Sequence, residues 1–146
     1  TDLEVVHHSE FISDLIKDGK IEPEASLEED VTFHDACYVG RHHGEYDAPR
    51  DVLQSVLSEK ATIQEMPRNK QDSFCCGAGG GNMWYEIKQG KRINVERFEE
   101  AIETGVKKVA TSCNFCMIMM EDGRKVTGQD ENMEVYDIAE LVAERI

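Results

Sequence analysis

The chain is short of basic residues. Its 16 Lys and Arg face 30 Asp and Glu, for a formal charge of −14. Nucleic-acid binders hold phosphates with clustered Lys and Arg, so nucleic acid is excluded as a partner. No apolar run approaches the roughly 18 residues that a membrane helix needs. The N-terminus, Thr1-Asp2-Leu3-Glu4, has neither the basic nor the apolar region of a secretory signal, and no initiator Met. An excised domain is the expectation. Internal repeats and low-complexity tracts are also missing. So is a nucleotide fingerprint: Gly77-Ala78-Gly79-Gly80-Gly81 lacks the Gly-Lys-Ser/Thr ending of a P-loop and the spacing of a dinucleotide site. An even cysteine count is absent too. Five cysteines without a signal peptide argue against a secreted disulfide framework. They favour a reducing cytoplasmic setting, where clustered cysteines do metal or redox chemistry.

What is present suffices for one domain over residues 1–146, with 40% hydrophobic and 32% charged residues. The acidic run Glu22–Asp30 reads as solvated surface, with a basic redox partner as the other reading. The chain alternates strand and helix signals. Leu3–Val6 is a short apolar strand candidate. Ser9 is a helix cap before Phe11, Ile12, Leu15 and Ile16, with Gly19 as the stop. Val31-Thr32-Phe33 is a buried strand candidate. Asp47 and Pro49 open a helix with Val52, Leu53, Val56 and Leu57 on its stripe. Ala61–Met66 is a second strand candidate. A short helix is expected over Gly81–Glu86 and a longer one over Ile93–Glu103, stopped by Gly105. Val106–Thr111 is the next strand, Asn114–Asp122 a Met-rich helix, and Met133–Tyr136 the last strand. Asp137 caps a closing helix. This order predicts an α/β fold, a mainly parallel sheet with helices on both faces.

Phe74-Cys75-Cys76-Gly77 is the stretch of most interest. Adjacent Cα atoms lie about 3.8 Å apart, too close for an ordinary disulfide. Two neighbouring thiolates suit one inorganic centre, and the glycines let backbone approach it. Cys37 follows the Val31–Phe33 strand, Cys75 and Cys76 follow Ala61–Met66, and Cys113 and Cys116 follow Val106–Thr111. Open α/β sheets gather functional groups at the carboxyl ends of strands. Three strand ends therefore deliver five thiols to one rim. Thiolates select iron–sulfur centres or zinc over hard cations. Five sulfurs exceed the four of a tetrahedral zinc site. Glycine amides beside the sulfurs would raise a cluster's potential.

Several segments carry a resemblance. His34-Asp35-Ala36-Cys37-Tyr38-Val39-Gly40-Arg41, Ala48-Pro49-Arg50, Cys75-Cys76-Gly77-Ala78-Gly79-Gly80-Gly81, Arg92-Ile93-Asn94, Thr111-Ser112-Cys113-Asn114-Phe115-Cys116 and Asp137-Ile138-Ala139-Glu140-Leu141 look like the cysteine-rich CCG domain. That domain occurs twice within one chain of heterodisulfide reductase, and near the C-terminus of glycolate oxidase and related iron–sulfur proteins. The resemblance implies a [4Fe-4S] cluster, noncubane in the heterodisulfide reductases, on Cys37, Cys75, Cys76, Cys113 and Cys116. It implies redox subunits, or an upstream ferredoxin-like segment or second CCG domain, as partners. The chain would then be the C-terminal part of a longer iron–sulfur oxidoreductase. That oxidoreductase would pass electrons from a flavoprotein or ferredoxin-type donor to a quinone or disulfide acceptor. Cytoplasmic localisation, with peripheral association at the inner membrane face through the full protein, follows from the same likeness.

Competing readings remain open. A structural zinc module that docks redox subunits and a metal-free Cys113–Cys116 dithiol switch both use the same residues. His34 is a candidate proton donor or contact near the cluster, or a strand-end histidine bonded to backbone. His7, His8, His42 and His43 read as surface. Arg41 and Arg50 face an anionic substrate or the cluster charge, or else pair with carboxylates. Met117, Met119 and Met120 read as core. Trp84 and Tyr85 cover the centre or pack in the core.

Overall fold

The computed structural model describes residues 3–85 and 89–146. Three parallel strands form the sheet: β1 (Val31–His34), β2 (Lys108–Thr111) and β3 (Glu134–Asp137), in the order β1-β2-β3. Phe33 lies opposite Ala110, which lies opposite Tyr136. Among the described residues five α-helices surround the strands: α1 (His8–Lys17), α2 (Asp47–Val56), α3 (Ile93–Glu103), α4 (Asn114–Val126) and α5 (Ile138–Ala143).

Alternation along each strand divides the core into two layers. Val31, Phe33 and Ala110 point toward Val52, Leu53 and Val56 of α2 and Ile138, Leu141 and Val142 of α5, with Ile12 and Ile16 of α1 beside them. Val109 and Val135 point the other way, onto Phe98 and Ala101 of α3 and Met120 of α4. Helices therefore cover both faces, as an α/β fold requires for a parallel sheet. Fully burying a side chain such as Phe98 contributes about 1.5–3 kcal/mol.

Some local details differ from the sequence expectations, each for a physical reason. His7, not Ser9, caps α1: its ring accepts the Ser9 amide while Glu10 reaches back to the His7 amide. Glu45, two residues before α2, accepts the amides of Asp47 and Ala48, the function expected of Asp47. Ala61–Met66 makes only an isolated bridge, Val31 to Ile63, beside the outer edge of β1. Pro67 and the turn after it pull the chain away before a second pair forms. Leu3–Val6 is exposed and lies outside the sheet. α4 runs a turn past Asp122 to Val126. Asp137 caps α5, as expected, and Glu140 completes a reciprocal capping box. The short helix expected over Gly81–Glu86 is a 3₁₀ segment, Gly79–Trp84, and Glu86 is outside the described residues.

Candidate metal centre

Two chain segments leave the carboxyl edge of the sheet directly into cysteine. After β1 the chain turns through a π-helical segment, Tyr38–His42, with Cys37 at its start. Gly40 is required there, because a Cβ would lie 2.5 Å from the Tyr46 ring. After β2, Cys113 takes extended backbone (φ −151°, ψ 127°) and caps the start of α4, with Cys116 in its first turn. Helix N-termini carry unpaired amides and positive partial charge, which favour thiolates.

The third segment, Ser73–Cys76, comes from a loop rather than from a regular strand, and polar contacts hold it in place. Asp35, buried behind β1, accepts the Lys70 amide at 2.7 Å, and its carbonyl accepts the Ser73 hydroxyl at 3.2 Å. Arg41 donates to the Ser73 carbonyl at 2.6 Å. Arg50 of α2 clamps Asp35 through both terminal nitrogens, at 2.8 and 2.9 Å, and also binds Glu65. Asp35 therefore ties the Cys37 and Cys75 segments to each other and to α2. Arg50 is paired with carboxylates, whereas Arg41 binds a backbone carbonyl and lines the same cleft as the cysteines.

The fold gathers the cysteines. Cys37, Cys75, Cys76 and Cys116 line one cleft with His34. Cys113 packs against the cluster of Ala36, Val39, Cys76, Cys116 and Met119. Cys76 and Cys116 are buried with sulfurs 3.4 Å apart, whereas Cys37, Cys75 and Cys113 are half-buried. All five are free thiols. Gly77 donates its amide to the Cys75 sulfur at 3.3 Å. Its φ of +90° and the Ile93 Cβ, 3.0 Å from where a side chain would begin, both demand glycine. Gly79, Gly80 and Gly81 are exposed, so the close backbone approach expected of the whole run belongs to Gly77.

Crowded sulfurs share protons unequally. Cys116 holds Cys113 down at about 6, against the effect of burial, with help from the Cys116 and Phe115 amides. Contacts with Cys116 and Cys75 drive Cys76 far below the usual thiol range; burial opposes this, and His34 and the Ala78 amide add to it. Cys75 is pushed up by Cys76 and by burial. Cys116 is pushed up by Cys113, by Cys76 and by burial. Two thiolates flanked by thiols, with amides directed at them, make a donor set ready for a soft metal centre.

His34 is buried at the edge of this set. One of its ring nitrogens and the sulfurs of Cys76 and Cys116 all lie within 4.8 Å of one another. Its Nδ1 accepts from Arg97 Nε at 2.9 Å. Burial lowers its pKa; contact with Cys76 opposes that, and Arg97 adds to it. The strand-end reading, a bond to backbone, therefore gives way to a side-chain partner.

Arg97 and Asp35 have no role in the reading from sequence. Arg97 did leave a signal: it stands four residues from both Ile93 and Ala101, a charge on the apolar stripe of α3. Of the other histidines, His43 is exposed beside Glu10, His8 binds Asp137, and the exposed His42 lies against the Tyr38 ring. Met119 and Met120 are core. Trp84 and Tyr85 are 83% and 71% exposed, so they do not pack in the core.

The comparisons with known proteins agree with this geometry. The family model described as a cysteine-rich domain, CCG, matches residues 31–121. The probable iron-sulfur-binding oxidoreductase FadF of Bacillus subtilis is 40% identical over 143 residues, covering 98% of this chain and 20% of that protein. The EtfAB:quinone oxidoreductase of Syntrophomonas wolfei is 38% identical over 146 residues, 95% of this chain and 20% of the relative. One component of the dihydromethanophenazine:CoB–CoM heterodisulfide reductase of Methanosarcina mazei is 41% identical over 148 residues, 98% of this chain and 34% of the relative. The chain thus spans about a fifth to a third of the length of these relatives. With its cysteine segments and most of its sheet inside the matched span, this chain belongs to the CCG cysteine-rich domain family.

Proposed function

We propose that the chain is the iron–sulfur electron-transfer domain of a larger oxidoreductase. A [4Fe-4S] cluster, of the noncubane type in the heterodisulfide reductase likeness, would be held by Cys37, Cys75, Cys76, Cys113 and Cys116. The observation that carries this reading is the convergence of five free thiols from three chain segments on one edge of the sheet. When bound, such a cluster supplies one-electron carriage. The chain's own residues prepare for it. Ala36, Val39 and Met119 exclude water on the inner side. The Gly77 amide neutralises part of the sulfur charge. Asp35 and Arg50 keep the loop of Cys75 and Cys76 in register with β1. The half-buried sulfurs of Cys37, Cys75 and Cys113 leave an open side for a redox partner. Exposed Tyr38, Phe115, Trp84 and Tyr85 adjoin the three cysteine segments along the chain.

The donor in this reading is a flavoprotein or ferredoxin-type protein, and the acceptor a quinone or a disulfide. The relatives' names support both acceptors: one specifies a quinone, another a heterodisulfide. An upstream ferredoxin-like segment or second CCG domain would complete the protein. Among the described residues no helix is long and apolar enough to cross a membrane. A cytoplasmic domain at the inner membrane face, attached through the rest of the protein, is the matching location; one relative is named a probable membrane-anchored ferredoxin.

Anaerobic purification followed by iron and sulfide analysis, visible absorption and EPR tests the cluster. Bound iron lost in Cys76→Ser and Cys116→Ser supports it. A single zinc with no iron after anaerobic reconstitution refutes it in favour of a structural zinc site. The depressed pKa of Cys113 beside Cys116 favours a dithiol as the second reading. That reading predicts a titratable Cys113–Cys116 disulfide with no metal bound.

A further inference from the structure

Arg97 is the largest fully buried side chain among the described residues. A buried guanidinium is costly unless its donors are used. Nη1 donates to the Arg68 carbonyl at 2.8 Å and pairs with Glu100, which also binds Arg68. Nε donates to His34 Nδ1 at 2.9 Å. That last bond carries chemical information. The Nε–H of arginine can only donate, so the ring nitrogen facing it can only accept. A neutral imidazole has one protonated nitrogen, so the proton on His34 sits on the other, Nε2. With Nδ1 as the nitrogen that faces Arg97, the tautomer is Nε2–H.

The His34 ring is within 4.8 Å of the Cys76 and Cys116 sulfurs, and both are buried. We infer that Arg97 is a positioning residue that fixes His34 as its Nε2–H tautomer, so that His34 presents an N–H donor to Cys76. Two consequences follow. His34 does not ligate a metal, because a ligating ring nitrogen must be unprotonated and the unprotonated one is held by Arg97. His34 is a fixed dipole whose positive end faces a sulfur that carries more negative charge in the reduced state of a cluster. A donor there stabilises the reduced state and raises the potential. Glu100 holds the guanidinium from the far side, and the i,i+3 spacing on α3 sets the geometry. A lysine at position 97 would still donate to Nδ1; a methionine would fill the space without donating.

Only the redox consequence rests on the cluster proposed above; the tautomer does not. The first test therefore uses the metal-free, reduced chain labelled with ¹⁵N. Long-range proton–nitrogen spectra are expected to show Nε2 of His34 protonated, with a coupling across the hydrogen bond from Arg97 Nε to Nδ1. A protonated Nδ1, or no such coupling, overturns the inference even if no variant folds. Arg97→Lys is expected to keep the tautomer and Arg97→Met to give a mixture; an unchanged tautomer in folded Arg97→Met overturns the role of Arg97. The second test is the midpoint potential of the iron-loaded chain. His34→Phe, at equal iron content, is expected to shift it negative while Arg97→Lys leaves it near the native value. An unchanged potential in His34→Phe overturns the redox consequence. A chain that binds no iron, with the tautomer intact, removes the cluster reading and leaves the Arg97–His34 assignment standing.

Discussion

Replacing Gly77 by alanine isolates the most demanding backbone position beside the sulfurs. Three glycines in the same stretch provide an internal scale. Gly79 has an ordinary φ and open space around it. Gly81 has φ +78° and open space. Gly77 has φ +90° and an added Cβ would lie 3.0 Å from Ile93 Cβ and 3.4 Å from the Asn94 amide nitrogen. Left-handed backbone costs a non-glycine residue about 1–2 kcal/mol. Overpacking adds about 1–3 kcal/mol. The smaller entropy of an unfolded alanine returns about 0.4–1 kcal/mol. Gly77→Ala is therefore expected to destabilise the chain by about 2–4 kcal/mol, Gly81→Ala by about 1 kcal/mol, and Gly79→Ala by less than about 0.5 kcal/mol. At about 2–4 °C per kcal/mol for a chain of this size, the Gly77 variant melts roughly 5–15 °C lower. Anaerobic urea and thermal unfolding of the reduced, metal-free chain, followed by circular dichroism, measures all three. If Gly77→Ala matches Gly79→Ala, the turn is not the constrained element described, and the amide of Gly77 is free to leave Cys75.

Other expectations test the frame and the thiols. Arg50→Ala leaves the buried Asp35 carboxylate without its two-pronged partner and is expected to cost about 3 kcal/mol in urea unfolding. Arg50→Lys is expected to recover less than half, because one ammonium cannot replace the fork; full recovery refutes the bidentate argument. Gly123 brings α4 against α3, and a Cβ there would lie 2.9 Å from the Asn94 carbonyl oxygen. Gly123→Ala is expected to lower stability by about 1–2 kcal/mol despite alanine's helix preference of about 1 kcal/mol; a stabilised variant would show that α4 can shift. Cys113 has a lowered pKa of about 6, so its thiolate is present above that pH and lost below it. Alkylation by iodoacetamide in the metal-free chain is expected to slow as pH falls through about 6, and an ordinary thiol midpoint refutes the contact with Cys116. Cys113→Ser is expected to abolish this fast phase.

Much of the fold is legible because its signals are local. The β-branched and aromatic residues of Val31–Phe33, the stripe of α2 and the capping box at Asp137 each act within a few residues. Ala61–Met66 has the same local signal as β1, yet forms only one bridge, because pairing depends on where the loop after Met66 leads. His7 and Glu45 displaced the caps expected at Ser9 and Asp47, since side chains flanking a helix compete for the same amides on nearly equal terms. The five thiols are legible as a set because each stands beside a predicted strand end or in the loop after one. Their frame is not: Asp35 reaches Lys70, 35 positions away, and Arg97 reaches His34, 63 positions away.

By itself, the sequence determined the α/β class and the soft-donor chemistry of five cysteines, since composition, spacing and strand-helix period carry both. Only the tertiary structure decided which glycine approaches sulfur, which arginines hold the loop, and which side chain binds Nδ1 of His34. Those are distances and directions between groups far apart in the chain, and only packing brings them together.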